Sequence, residues 1–206
     1  MDDSNSATGG NESPTDGLST PANRSATADL ESDLETAIDL ASSLGDRLRA
    51  RGDTLAVAES CTGGLLGGAL TAVPGSSDYF ESGHTVYAYE AKRRHLAVSR
   101  ESLDEHGAVS EAVALEMARG VRDVADVTWG VAITGVAGPG GGSPDAPVGT
   151  VYVGVAYAGP WGTESSYAHA RRHHFDGDRR AVRHQSVTVA LEAVVEVLED
   201  TPDESA

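Results

Sequence analysis

Apolar positions along this 206-residue chain recur with two periods, and the way the periods alternate predicts a fold. From Thr27 or Asp29 the pattern is helical: Leu30, Leu34, Ala37, Ile38, Ala41, Leu44 and Leu48 share a stripe, Asp33, Glu35, Asp39 and Asp46 lie off it, and Gly52 ends it. Thr54–Glu59 reads as a buried strand, and Gly63-Gly64 followed by Leu65-Leu66-Gly67-Gly68-Ala69-Leu70 as a turn into a small-faced helix. Pro74-Gly75 marks a turn. A second strand is predicted over Ser82–Tyr89, then a short helix from Glu90 with Lys92 in its first turn, then a helical piece over Arg100–Glu105 closed by His106-Gly107. Ser110 caps a helix over Glu111–Val124 whose stripe is Val113, Met117, Val121 and Val124. Thr128–Gly135 is a third strand, Val136–Val148 a glycine- and proline-rich loop, and Gly149–Ala158 pairs with Ser165–Phe175 across Gly159-Pro160-Trp161-Gly162. Gly177-Asp178-Arg179-Arg180 opens a last helix to about Glu199, with Val182, Val189, Ala190, Ala193 and Val197 apolar.

Strands joined by helical crossovers imply parallel pairing, and the late hairpin adds antiparallel pairing. The expected class is α/β, a three-layer α/β/α arrangement with a mixed five-stranded sheet and four or five helices. Residues 1–27 are polar, with almost nothing large and apolar to offset ordering entropy, and predict a disordered tail. A single domain over residues 28–200 follows, and residues 201–206 read as a frayed acidic end.

Charge narrows the partners. Lys and Arg total 15 against 32 Asp and Glu, a formal charge of −17, which argues against a polyanion-binding surface and so against nucleic acid. Aromatic residues make up 5%, and the Ala- and Gly-rich, Arg-over-Lys composition resembles the proteins of salt-adapted organisms with GC-rich genomes. The lone Cys61 excludes an internal disulfide, and no apolar run approaches the roughly 18 residues of a membrane span. With no apolar signal segment at the N-terminus, a cytoplasmic protein is the simplest reading.

Among the basic residues only Lys92 is a lysine. Arginine serves as the general cation here, so Lys92 stands where an amine able to release its proton near neutral pH has a use; the plain alternative is an ordinary surface lysine. At the end of the first strand Glu59-Ser60-Cys61-Thr62 brings two hydroxyls and a thiol to the sheet edge where ligands bind in open α/β folds, ahead of a helix start whose free N–H groups suit an anion. Ser60 with a desolvated Lys92 has the chemistry of a base-activated nucleophile. Cys61 is the rival nucleophile or a small buried hydrophobe, and Thr62 either touches substrate or caps the helix. The loop Gly135–Ser143 either cradles a phosphate with bare N–H groups or is a flexible connector. His169, His173 and His174 invite a metal reading, which Arg171, Arg172 and the lack of a nearby carboxylate oppose; a solvated strand face is the other reading. Asp178 and Arg179 are a helix cap with or without an anion ligand.

Taken in order, Ala58-Glu59-Ser60-Cys61-Thr62-Gly63-Gly64, Pro74-Gly75-Ser76-Ser77, Tyr89-Glu90-Ala91-Lys92, His106-Gly107-Ala108-Val109-Ser110-Glu111, Thr134-Gly135-Val136-Ala137-Gly138-Pro139-Gly140-Gly141, Pro147-Val148-Gly149-Thr150-Val151 and Gly177-Asp178-Arg179 resemble the C-terminal domain family of the competence/damage-inducible protein CinA. Its characterised enzymes are nicotinamide-nucleotide amidases. The resemblance runs from Thr54 to about Leu198 and implies the stand-alone form, without the large N-terminal domain of full-length CinA proteins. It implies Ser60 as nucleophile, Lys92 as base, and Tyr87 in the catalytic group as a positioning residue. Thr62, Gly63, Gly64, Thr134, Gly138, Gly140, Gly141 and Arg179 then bind substrate, with the Thr62-Gly63-Gly64 turn holding the oxyanion. Ala88-Tyr89 stand where the family usually has Ser-Asn. The implied reaction is hydrolysis of the carboxamide of nicotinamide mononucleotide, with no metal and no organic cofactor. The expected partner is a small pyridine nucleotide, with no nucleic acid and no membrane, in a homo-oligomer, first of all a dimer. A nucleotide-binding module without turnover and a nucleotide pyrophosphatase are the alternatives, the latter needing a carboxylate cluster for magnesium that the sequence near the glycine loops does not offer.

Overall fold

A computed structural model of the chain describes residues 21–201, with side chains from residue 32 onward. The elements are α1 (Pro21–Arg51), β1 (Leu55–Glu59), α2 (Leu65–Thr71), a 3₁₀ turn (Ser76–Asp78), β2 (Phe80–Thr85), α3 (Tyr89–Leu96), α4 (Arg100–His106), α5 (Glu111–Ala125), β3 (Trp129–Gly135), β4 (Thr150–Tyr157), β5 (Tyr167–His174) and α6 (Arg179–Asp200). The five strands form one sheet in the order β2-β1-β3-β4-β5. β1 runs parallel to β2 and β3, whereas β4 is antiparallel to both β3 and β5. The carboxyl ends of the three parallel strands therefore share one edge, and β4 begins at that edge and leaves it.

The two faces of the sheet differ in side-chain size, and this sets how the helix layers sit. One face carries Leu55, Val57, Trp129, Val131, Ile133, Val151, Val153 and Val155 and packs on α1, α2 and α6 through Leu44, Leu48, Leu70, Ala190 and Leu191. The other carries Ala56, Ala58, Ala132 and Ala156 against α3, α4 and α5, where Leu96, Leu103, Val113 and Met117 are buried. The small face lets α5 come very close. A Cβ added at Gly130 would lie 2.2 Å from the Ala118 carbonyl oxygen, and one at Gly154 2.5 Å from that of Ala114. Because the obstacle is helix backbone, Gly130→Ala is expected to destabilise the fold by about 1–3 kcal/mol. Denaturant unfolding with an unchanged midpoint would refute that close approach.

The sheet and its layers match the expected class, with six α-helices instead of four or five. Four local details differ from the expectation. α1 begins at Pro21, not at Thr27 or Asp29: proline suits the first turn of a helix, where its missing N–H is not needed, and alanines follow it. The expected tail, residues 1–27, otherwise lies outside the described residues as far as residue 20. Leu34 and Val124, placed on buried stripes, are exposed. β2 ends at Thr85 instead of reaching Tyr89, because the carbonyls of Val86 and Tyr87 turn inward to a side chain on α3. Thr201 is not frayed: its hydroxyl meets the Val197 carbonyl at 2.7 Å and the Tyr167 hydroxyl at 2.8 Å. Residues 202–206 lie outside the described residues. Among the described residues no helix is long and apolar enough to cross a membrane.

Candidate active site

Ser60 is the first residue past β1, and its backbone is fixed from both sides. Its N–H donates to the Ile133 carbonyl at 2.9 Å, while Glu59 O accepts from Val86 N at 2.8 Å, so the β1 ladder continues for one residue toward each neighbour. Lys92 reaches this point from α3. It is fully buried (0% exposed), and its Nζ lies 2.9 Å from Ser60 Oγ, 2.8 Å from Val86 O and 3.3 Å from Tyr87 O. None of these partners is a carboxylate. Burial without a counter-charge disfavours the ammonium and lowers the Lys92 pKa from 10.5 to about 8. The two carbonyls also orient the deprotonated amine: they take its two N–H groups and leave the lone pair facing the Ser60 hydroxyl.

The pair forms the floor of a cavity of about 470 Å³. Tyr87, Tyr89 and His106 make one wall, and Thr134 and the loop through Gly138, Gly140 and Gly141 make another, with Arg179 at the rim. Arg179, the first residue of α6, donates from Nη1 to Gly138 O at 2.8 Å and from Nη2 toward the Tyr87 hydroxyl at 3.5 Å. Tyr87 itself is 61% exposed. Thr134 is fully buried and donates to Ala108 O at 2.6 Å, and the Ala108 N–H donates to the Tyr89 hydroxyl at 3.3 Å. The peptide at Ala108 is thereby held at both ends. The sheet edge thus brings together Ser60, Lys92, Tyr87, Thr134, Gly138, Gly140, Gly141 and Arg179.

Thr62, Gly63 and Gly64 are not among the cavity's lining residues. Gly63 and Gly64 have left-handed φ values of 62° and 99°, which let the chain turn sharply from β1 into α2. The helix start they create is already filled. The buried Glu59 carboxylate (2% exposed) accepts from the N–H groups of Gly64, Leu66 and Gly67 at 2.9, 3.1 and 2.8 Å. Gly64 therefore has no N–H to give an oxyanion, which corrects the role expected for it, and the open anion-binding terminus expected at α2 is occupied from within. Thr62 does not cap α2 with its side chain: its hydroxyl is buried without a partner among the described residues, and its carbonyl accepts from Arg183 Nη2 at 2.6 Å.

Cys61 lines the cavity and is also part of the core beneath it. Burial pushes its thiol up to about 11, so the thiolate is scarce at neutral pH and Ser60 is the better-activated neighbour. His169 and His173 alternate with Arg171 on β5, away from this cavity, and burial lowers both imidazoles further from the charged state. Among the described residues no group of three or more His, Cys, Asp and Glu side chains comes together. Glu59, Arg183, Tyr89 and His106 escaped the sequence reading of the site. Arg183 had a visible signal, one helical turn beyond Arg179.

A three-layer α/β/α domain with a buried lysine on a serine at the carboxyl edge of its parallel strands defines the class. The comparisons give the family: the model of the CinA C-terminal domain matches residues 37–198, and the chain belongs to that family. A CinA-like protein of Salinibacter ruber is 52% identical over 149 residues, covering 72% of this chain and 34% of that protein. The chain thus spans about a third of the length of such curated relatives. Among solved structures, a CinA superfamily protein from Klebsiella pneumoniae superimposes with a TM-score of 0.74 at 37% identity, covering 80% of this chain and 99% of that one. The competence/damage-inducible protein CihA from Agrobacterium tumefaciens gives 0.73 at 36% identity, covering 80% and 96%.

Proposed function

We propose that this protein is a pyridine-nucleotide amidohydrolase, converting nicotinamide mononucleotide and water to nicotinate mononucleotide and ammonia. The observation that carries the reading is the 2.9 Å contact between Lys92 Nζ and Ser60 Oγ, in surroundings that lower the amine's pKa to about 8. At pH 7 about a tenth of such a lysine is neutral. Neutral Lys92 takes the hydroxyl proton as Ser60 Oγ attacks the carboxamide carbon, and the resulting ammonium then gives that proton to the nitrogen as the C–N bond breaks. Ammonia leaves an ester on Ser60. Water, deprotonated by the same amine, adds to the ester carbonyl, and loss of the serine oxygen with its proton restored yields the carboxylate. Of the N–H groups between Ser60 and Gly64, only that of Cys61 belongs to a cavity-lining residue and is left for the oxyanion, since Ser60 N–H serves Ile133 O. Aromatic side chains at Tyr87, Tyr89 and His106 suit a flat ring, and the glycine loop with Arg179 suits a phosphate.

The test is incubation of the protein with nicotinamide mononucleotide in high salt plus a chelator, with ammonia measured. Binding without ammonia release would leave a nucleotide-binding module in place of an enzyme. The pH dependence adds a second check. Only deprotonated Lys92 accepts the proton, so kcat/KM is expected to rise between about pH 7 and about pH 9 with a midpoint near 8. Stability follows the same direction. Between about 8 and 10.5 the unfolded chain keeps a proton on Lys92 that the folded protein has released, so stability rises with pH across that window. A Lys92→Met variant should lack this rise.

A further inference from the structure

We propose a second anion site, for a phosphoryl group, on the far side of the Gly138-Pro139 segment from the serine–lysine cavity. A separate cavity of about 600 Å³ lies there, lined by Arg179, Arg180 and Arg183, with Asp178 as its one acidic residue. Its volume is that of an ordinary small-ligand site, about 300–1,000 Å³. Three guanidinium groups around one hollow reverse the local sign of a chain whose formal charge is −17. The helix terminus itself is not the ligand-binding element, because Asp178 already accepts from the N–H groups of Arg180 and Ala181 at 3.0 and 2.9 Å. The arginine side chains are. Arg183 Nε is buried, and among the described residues it has no hydrogen-bond acceptor. Planar guanidinium donors match the paired oxygens of a phosphoryl group better than those of a halide.

The site would also reach the chemistry. Arg183 Nη2 holds Thr62 O at 2.6 Å, two residues past Ser60, and Arg179 lines both cavities. An anion drawing on Arg183 acts on the turn that carries the nucleophile without entering the amide site. This inference does not need the proposed reaction, and its test keeps the two apart.

The experiment is isothermal titration of the full chain carrying Ser60→Ala with inorganic pyrophosphate at constant chloride, repeated with adenosine diphosphate. One saturable site for pyrophosphate is expected. It should weaken about tenfold or more in Arg183→Gln and in Arg180→Gln, and persist when nicotinamide mononucleotide is present in excess. Comparable binding of adenosine diphosphate would extend the site to a nucleotide's phosphate tail; binding of pyrophosphate alone would restrict it to the free ion. Absence of saturable binding, indifference to both substitutions, or displacement by nicotinamide mononucleotide would overturn the proposal. Arg180 is exposed, so its variant carries the test even if Arg183→Gln fails to fold.

Discussion

Lys92→Arg is expected to lower ammonia release by about a thousandfold or more while nucleotide binding survives. Arginine keeps the positive charge but has no proton to give up near neutrality, so in the proposed reaction Ser60 loses the group that takes its hydroxyl proton. Because Lys92 is fully buried, the larger guanidinium also strains its surroundings, and Lys92→Met is the companion variant that removes the amine without adding bulk. Ser60→Ala should lose a similar factor. The double variant should be little worse than either single one, because residues acting as one unit are not additive. Cys61→Ser should keep substantial turnover, since the Cys61 thiol is held near 11. An arginine variant with near-normal ammonia release would remove Lys92 from the mechanism and make Tyr87 the next base to test.

Glu59→Ala is expected to cost about 3 kcal/mol or more in stability and to lower kcat in whatever protein still folds. The carboxylate accepts from three backbone N–H groups at the start of α2, and hydrogen bonds to a charged acceptor contribute about 1.5–3 kcal/mol each before water replaces any of them. Leu66 N–H is buried and gains no such replacement. Glu59→Gln should fall between, because one amide oxygen still accepts while the new NH₂ faces another donor. Chemical denaturation measures the first effect, and turnover at a temperature where the variant is folded measures the second. A loss under about 0.5 kcal/mol in Glu59→Ala would show that solvent serves these donors as well as the carboxylate does.

The three central strands β1, β3 and β4 were legible because they are short apolar runs punctuated by Gly, Pro and capping residues, whereas the edge strands β2 and β5 are largely polar. Ser110 and Asp178 stand as helix caps where their spacing places them. Lys92 stood out by composition, and Ser60 by its place after an apolar run. Their 2.9 Å contact could not be read, because it depends on how β2 stops at Thr85 and turns two carbonyls toward α3. Glu59 was missed for a different reason. In sequence the turn residues Thr62-Gly63-Gly64 resemble an open anion site, and only the fold shows the α2 donors satisfied by the carboxylate immediately before Ser60. The alternation of large and small residues in Leu55-Ala56-Val57-Ala58 and in Trp129-Gly130-Val131-Ala132 was also in plain view, and it encodes which helix layer approaches closely. The lengths of α1 and β2 were misjudged because end residues are decided by contacts outside their own element.

The antiparallel course of β4 has a consequence for handling the protein. Trp129, the first residue of β3, pairs with Tyr157, the last of β4, so the Ala158–Ser166 turn lies at the pole opposite Ser60, with Trp161 wholly exposed at its tip. A label, a surface linkage or an inserted domain placed in that turn leaves every residue lining the serine–lysine cavity at the opposite end of the sheet. Immobilised through Trp161, the protein presents its serine–lysine cavity to solution.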